Sequence, residues 1–130
     1  MVSEGEADSS RPLRVIVCDD TCQVRALIKT ELSLEPDMIV VGEAANGAEA
    51  IDLARSEQPD VVLLDLGMPV MGGLEALPGI KRAAPTAIII VFSSFDVAEM
   101  GEKAVAAGAS RYLQKSAPAQ QIVAAVRTTD

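Results

Sequence analysis

One pattern recurs five times along the chain: a short run of apolar, mostly β-branched residues, then a segment whose apolar positions keep helical spacing. The runs are Leu13 to Val17, Met38 to Val41, Val61 to Leu64, Ala87 to Phe92 and, shortest, Tyr112 with Leu113. Between them the spacing is three or four residues: Val24, Leu27, Ile28 and Leu32; Ala50, Ile51 and Ala54; Val97, Met100, Ala104 and Val105; and finally Ile122, Val123 and Val126. Pro36-Asp37, Pro59-Asp60, Pro85 and Gly108 fall where helices should stop. Such β/α alternation predicts a mainly parallel sheet covered by helices on both faces. Val61 to Leu64 and Ile88 to Val91 lack polar alternation, so they are expected to be central strands. The third helix is expected to kink or split, because Pro78 and Gly79 interrupt Leu74 to Ala83 and an interior proline costs about 3 kcal/mol.

A chain of 130 residues has room for one domain. Its 49% apolar content excludes global disorder. Residues 1–12, polar and without apolar period, are expected to be a disordered tail. Residues 13–127 form the domain, and residues 128–130 are a tail or the start of a linker. Eleven Lys and Arg against nineteen Asp and Glu give a net charge of −8, which repels nucleic-acid phosphates and anionic lipid. Direct nucleic-acid or membrane binding is therefore not expected, and with neither a signal peptide nor a long apolar span a cytoplasmic location is. Cys18 and Cys22, with no histidine anywhere, make a poor zinc site and read as reduced thiols.

In open α/β sheets ligands bind beyond the carboxyl ends of the strands. There the chain places Asp19 and Asp20 after the first strand, Asp65 after the third, Ser93 and Ser94 after the fourth, and Lys115 after the fifth; only the second ends blandly, in Ala44 and Ala45. Each has an ordinary explanation: Asp20 as a helix cap, Asp65 as the opening of a loop, Ser93 as a loop residue, Lys115 as a solvated charge. Their joint placement favours a site. Three carboxylates at one point repel unless a cation sits among them. The all-oxygen donor set suits Mg²⁺, for which Mn²⁺ can substitute. A carboxylate beside such a metal and an ammonium is arranged to attack a phosphoryl group.

In order, Val15-Ile16-Val17-Cys18-Asp19-Asp20, Val61-Val62-Leu63-Leu64-Asp65-Leu66-Gly67-Met68-Pro69 with Gly72-Gly73, Ile90-Val91-Phe92-Ser93, Gly108-Ala109 and Tyr112-Leu113-Gln114-Lys115 resemble the receiver domain of two-component response regulators. Val40-Val41-Gly42-Glu43-Ala44-Ala45-Asn46-Gly47 further resembles the NarL-type subfamily, whose members usually carry a helix-turn-helix DNA-binding domain. The resemblance implies a flavodoxin-like (βα)5 fold of strand order 2-1-3-4-5. It implies Asp65 as phosphoacceptor, with Mg²⁺ held by Asp20, Asp65 and the backbone carbonyl of Gly67, and with Asp19 acting through water. Lys115 and Ser93 would bind the phosphoryl group while Tyr112 changes rotamer. The phosphodonor would be a sensor histidine kinase or phosphotransfer protein, docking on the first helix around Cys22, Gln23 and Arg25. Such a domain catalyses only its own phosphorylation and dephosphorylation. It signals through the surface of the fourth helix, fifth strand and fifth helix to an output partner or a DNA-binding domain.

The chain departs from the family where Ser116 follows Lys115; proline is common there, in a cis peptide that costs a non-proline residue about 3 kcal/mol. Homodimerisation through the apolar face of the first or last helix is open, though interior packing explains those residues equally well. Two other functions compete. A receiver-like interaction module working without phosphate would need none of these residues. A phosphohydrolase with an aspartyl nucleophile would carry a second acid two residues on, where Gly67 stands after Asp65 and Cys22 after Asp20.

Overall fold

The computed structural model describes residues 11–94 and 97–127. Of the tails expected at residues 1–12 and 128–130, residues 1–10 and 128–130 lie outside the described residues. Five strands form one parallel sheet in the order β2-β1-β3-β4-β5. In chain order the elements are β1 (Leu13–Cys18), α1 (Cys22–Ser33), β2 (Met38–Ala44), α2 (Gly47–Glu57), β3 (Val61–Leu64), α3 (Gly73–Ala83), β4 (Ile88–Ser93), α4 (Val97–Ala107), β5 (Arg111–Gln114) and α5 (Ala119–Arg127). Strand order, strand number and helix number match the sequence-based expectation.

Because side chains alternate across a strand, each central strand feeds two cores. Val15, Val17, Val61, Leu63, Ile90 and Phe92 face α1 and α5, where Ile28, Leu32, Ile122, Val123 and Val126 close over them. Ile16, Cys18, Val62, Leu64, Ile89 and Val91 face α2, α3 and α4, meeting Ala50, Ala54, Ala76, Leu77, Ile80 and Ala104. Interior packing thus occupies most of the apolar stripe of α1 and α5. Leu27 alone among the spaced apolar residues of α1 is exposed.

Helix α3 is one continuous segment with Pro78 inside it, not two pieces. Ala76, Leu77 and Ile80 are buried along one side while the proline ring faces solvent, and that packing offsets the missing hydrogen bond. Arg14, the one polar residue in the first strand, is also accounted for. Its guanidinium pairs with Glu57 at 2.8 Å, and its N–H donates to Asp60 at 2.8 Å. No described peptide bond is cis, Lys115–Ser116 included.

At the far end of the sheet from the site, Arg127 in the last turn of α5 grips Asp37 through Nε at 2.8 Å and Nη2 at 3.0 Å, and also bonds Glu35. The guanidinium holds the Asp37 carboxyl below its ordinary pKa. In the β3–α3 loop, Val70 adopts φ +66° with its side chain 90% exposed. A β-branched residue in the left-handed region is strained by about 1–2 kcal/mol, and a side chain so exposed gains no packing in return. Val70→Asn, which tolerates this conformation, is expected to stabilise the domain by about 1 kcal/mol in urea unfolding. An unchanged or lower midpoint would show the strain to be absent.

Candidate functional site

Register alone brings the acids together. Cys18 of β1 lies opposite Leu64 of β3, so the residues that follow each of them, Asp19 and Asp65, leave the sheet side by side. Two backbone bonds fix them there: Asp65 donates its N–H to Cys18 O at 2.9 Å, and Asp19 donates its own to Ala44 O, also at 2.9 Å. On the other side Ser93 of β4 pairs with Gln114 of β5, and the next N–H, that of Lys115, donates to Ser93 O at 2.8 Å. The Lys115 ammonium spans to Asp19 Oδ2 at 2.8 Å and Asp65 Oδ2 at 3.1 Å, and it lies 5.6 Å from the centre of the Phe92 ring.

Asp19 and Asp65 are buried while Asp20 is exposed, and one oxygen from each lies within 4.8 Å of the others. Asp19 Oδ1 accepts the Thr21 N–H at 2.8 Å. Asp19 Oδ2, wholly buried, accepts no hydrogen bond of proper geometry among the described residues, and its contact with Lys115 is electrostatic. Asp65 Oδ1 accepts the Gly67 N–H at 3.2 Å. Burial raises the Asp65 pKa above the usual carboxylate range and the Asp19 charge adds to this, against opposing pulls from the Gly67 N–H and Lys115. Burial draws the Lys115 ammonium down, but its contacts with Asp19 and Asp65 more than offset that and raise its pKa. Three carboxylates therefore face one ammonium. The donors are hard oxygens throughout, so the residues fit a small divalent cation of the Mg²⁺ type.

Asp19, Asp20, Asp65 and Lys115 are thus brought together as the sequence suggested. Ser93 is buried at the end of β4, one backbone bond from Lys115. Gly67 is exposed beside Asp65. Tyr112 of β5 is half-buried and packs against the α2, α3 and α4 core. Cys22 and Gln23 are exposed at the start of α1, and both cysteines are free. The Cys18 thiol is buried, which pushes its pKa up. Arg25 is not presented to solvent in the same way: its guanidinium is turned to Glu43 and to the Asp19 carbonyl. Sequence reading missed Glu43, Thr21 and Phe92, which touch residues of the site without standing at its centre. A carboxylate inside an apolar strand was the one available signal for Glu43.

A doubly wound sheet carrying an acidic triad and a lysine at its switch point is the architecture of a receiver, and the chain belongs to the response regulator receiver domain family, whose model matches residues 15–127. Among relatives, it is 37% identical over 118 residues to the nitrate/nitrite response regulator protein NarL of Escherichia coli, covering 91% of this chain and 55% of NarL. It is 36% identical over 123 residues to a protein-glutamate methylesterase/protein-glutamine glutaminase of Rhodospirillum centenum, covering 93% of this chain and 31% of that protein. Among solved structures, the receiver domain of a NarL-type regulator from Mycobacterium tuberculosis superimposes with a TM-score of 0.85 at 33% identity, covering 90% of this chain and 94% of that one. The chain spans about half of the first relative and a third of the second. No helix among the described residues is long and apolar enough to cross a membrane.

Proposed function

We propose that Asp65 accepts a phosphoryl group from a phosphohistidine on a sensor kinase or phosphotransfer protein. One Asp65 oxygen attacks phosphorus, the P–N bond breaks as the P–O bond forms, and the imidazole leaves with its electron pair and is protonated. The observation that carries the reading is the convergence of Asp65 with Asp19, Asp20 and Lys115 at the strand ends. In it, Asp20, Asp65 and the Gly67 carbonyl hold Mg²⁺, or Mn²⁺ in its place, and Asp19 acts through water. A cation held by these residues would supply charge neutralisation to the transferring oxygens. Lys115 supplies a second positive group to the phosphoryl oxygens and the Ser93 hydroxyl donates to one of them, drawing the β4–α4 loop inward while Tyr112 changes rotamer. Phosphorylation adds about 1.5 to 2 negative charges and three acceptors, enough to bias a two-state equilibrium read at the surface of α4, β5 and α5.

Docking of the phosphodonor on α1 is supported by the exposure of Cys22, Gln23 and Leu27 beside a cavity of about 160 Å³ lined by Val24, Ile28, Ile122 and Val123. The docking role expected of Arg25 has less support, since its guanidinium is already engaged. The reading places the domain in the cytoplasm, gives it no turnover beyond its own phosphorylation and dephosphorylation, and leaves output to a partner or a DNA-binding domain.

The test is intact mass after incubation with acetyl phosphate and Mg²⁺. The parent is expected to gain about 80 Da and Asp65→Asn nothing. An adduct that persists on Asp65→Asn moves the phosphoacceptor elsewhere, and none on either chain favours an interaction module working without phosphate.

A further inference from the structure

The β1–β2 ladder contains an irregularity. Val15 pairs with Val40 but the next residue, Ile16, pairs with Gly42, so Val41 is an extra residue in β2. A bulge reverses the alternation of every side chain beyond it. Before it Met38 and Val40 face the α1 core, and uninterrupted alternation would send Glu43 to the opposite side. Instead Ala44 joins Val41 on the α2 side and Glu43 emerges toward α1. There Glu43 Oε1 takes Arg25 Nε at 3.0 Å and Oε2 takes Lys29 Nζ at 2.6 Å. With Nε so held, the other end of the Arg25 fork, Nη1, donates to the backbone carbonyl of Asp19 at 2.5 Å.

That carbonyl belongs to the peptide joining Asp19 to Asp20. The N–H on the other side of Asp19 is held by Ala44 O at 2.9 Å, the residue after Glu43. Two successive residues of β2 therefore fix the backbone on both sides of Asp19, one directly and one through Arg25. We propose that Arg25, aimed by Glu43 across the β2 bulge, is a positioning residue that sets the Asp19–Asp20 peptide for cation binding. The proposal rests on the reading of these acids as a Mg²⁺ site.

Charge and position act oppositely here, which makes the idea testable. Removing a cation from the neighbourhood of an Mg²⁺ site strengthens metal binding if only electrostatics matter. Removing a group that orients a ligand weakens it, about tenfold for partners outside the coordination shell. Mg²⁺ binding to the full chain should be measured by titration calorimetry for the parent, Arg25→Met and Arg25→Lys, with the urea midpoint of each in EDTA. The expected result is about tenfold weaker binding for Arg25→Met, with phosphorylation by acetyl phosphate approaching the parent rate once Mg²⁺ saturates. Arg25→Lys keeps the charge but not the fork, so its binding also falls, and it serves where the methionine variant does not fold. Unchanged or tighter Mg²⁺ binding in folded variants overturns the proposal while leaving the metal site standing. No Mg²⁺ binding by the parent overturns both.

Discussion

Replacing Gly73 with alanine is expected to destabilise the domain by about 3 kcal/mol, at the upper end for a small-to-large change in a packed site. A Cβ built on Gly73 lies 2.2 Å from the Asp65 carbonyl oxygen and 2.9 Å from the Asp65 carbon and Leu66 Cα. All three are backbone atoms, so no side-chain rotation relieves the overlap. Either the start of α3 or the peptide after the proposed phosphoacceptor must move, and the Gly73 N–H bond to Leu66 O at 3.1 Å is strained with it. Gly67 in the same loop is the control, because a Cβ there meets only Asp65 Oδ1, at 3.9 Å. Gly67→Ala should unfold within about 0.5 kcal/mol of the parent. Paired urea curves decide it: similar midpoints for the two variants would show that α3 does not press on Asp65. Acetyl phosphate labelling of any folded Gly73→Ala should be slower as well, since the carboxylate shifts with its backbone.

Magnesium is expected to stabilise the folded chain, because the site holds three carboxylates against one ammonium. At ten times its dissociation constant a ligand specific to the native state contributes about 1.4 kcal/mol, on the order of 5 °C in Tm for a domain this size. Asp20→Asn should lose most of that shift. Without metal, Asp65→Asn should be more stable than the parent at neutral pH. The sign follows from the raised pKa of Asp65. A carboxyl whose native pKa exceeds its unfolded value contributes stability below the unfolded value and loses it as pH rises through the native one. The ionised Asp65 is therefore a liability at pH 7, and the gap between the two proteins should narrow as pH falls through its native pKa. Calorimetric scans in EDTA and in Mg²⁺ suffice; a parent indifferent to Mg²⁺, or an Asp65→Asn less stable at pH 7, contradicts the electrostatics proposed for the site.

What could be read in the sequence was what each residue announces locally. Uniformly apolar strands such as Val61 to Leu64 fixed the layers, and ionic residues just past strand ends marked one edge of the sheet. Long-range terms were hidden. Pro78 argued for a broken helix because propensity is local, whereas the burial of Ala76, Leu77 and Ile80 that carries α3 through it comes from the sheet and α2. The second strand ends blandly in the sequence because the Ala44 side chain carries no chemistry, whereas its contribution is a carbonyl oxygen to Asp19. Glu43 could not be assigned a face, since nothing local reveals the extra residue that turns it toward Arg25. Val70 gave no warning of a positive φ, a geometry imposed by the loop around it.

The grip of Arg127 on Asp37 and Glu35 settles the point of departure for anything joined beyond residue 127. Asp37 precedes β2 and its carbonyl accepts the N–H of Leu13, the first residue of β1, so this clasp sits on the rim opposite the acids. The six residues of β1 between them span roughly 20 Å. A short tether setting out from Arg127 begins on the wrong shore to touch Asp65. A phosphoryl group on Asp65 would stand a full strand length from where that tether sets out.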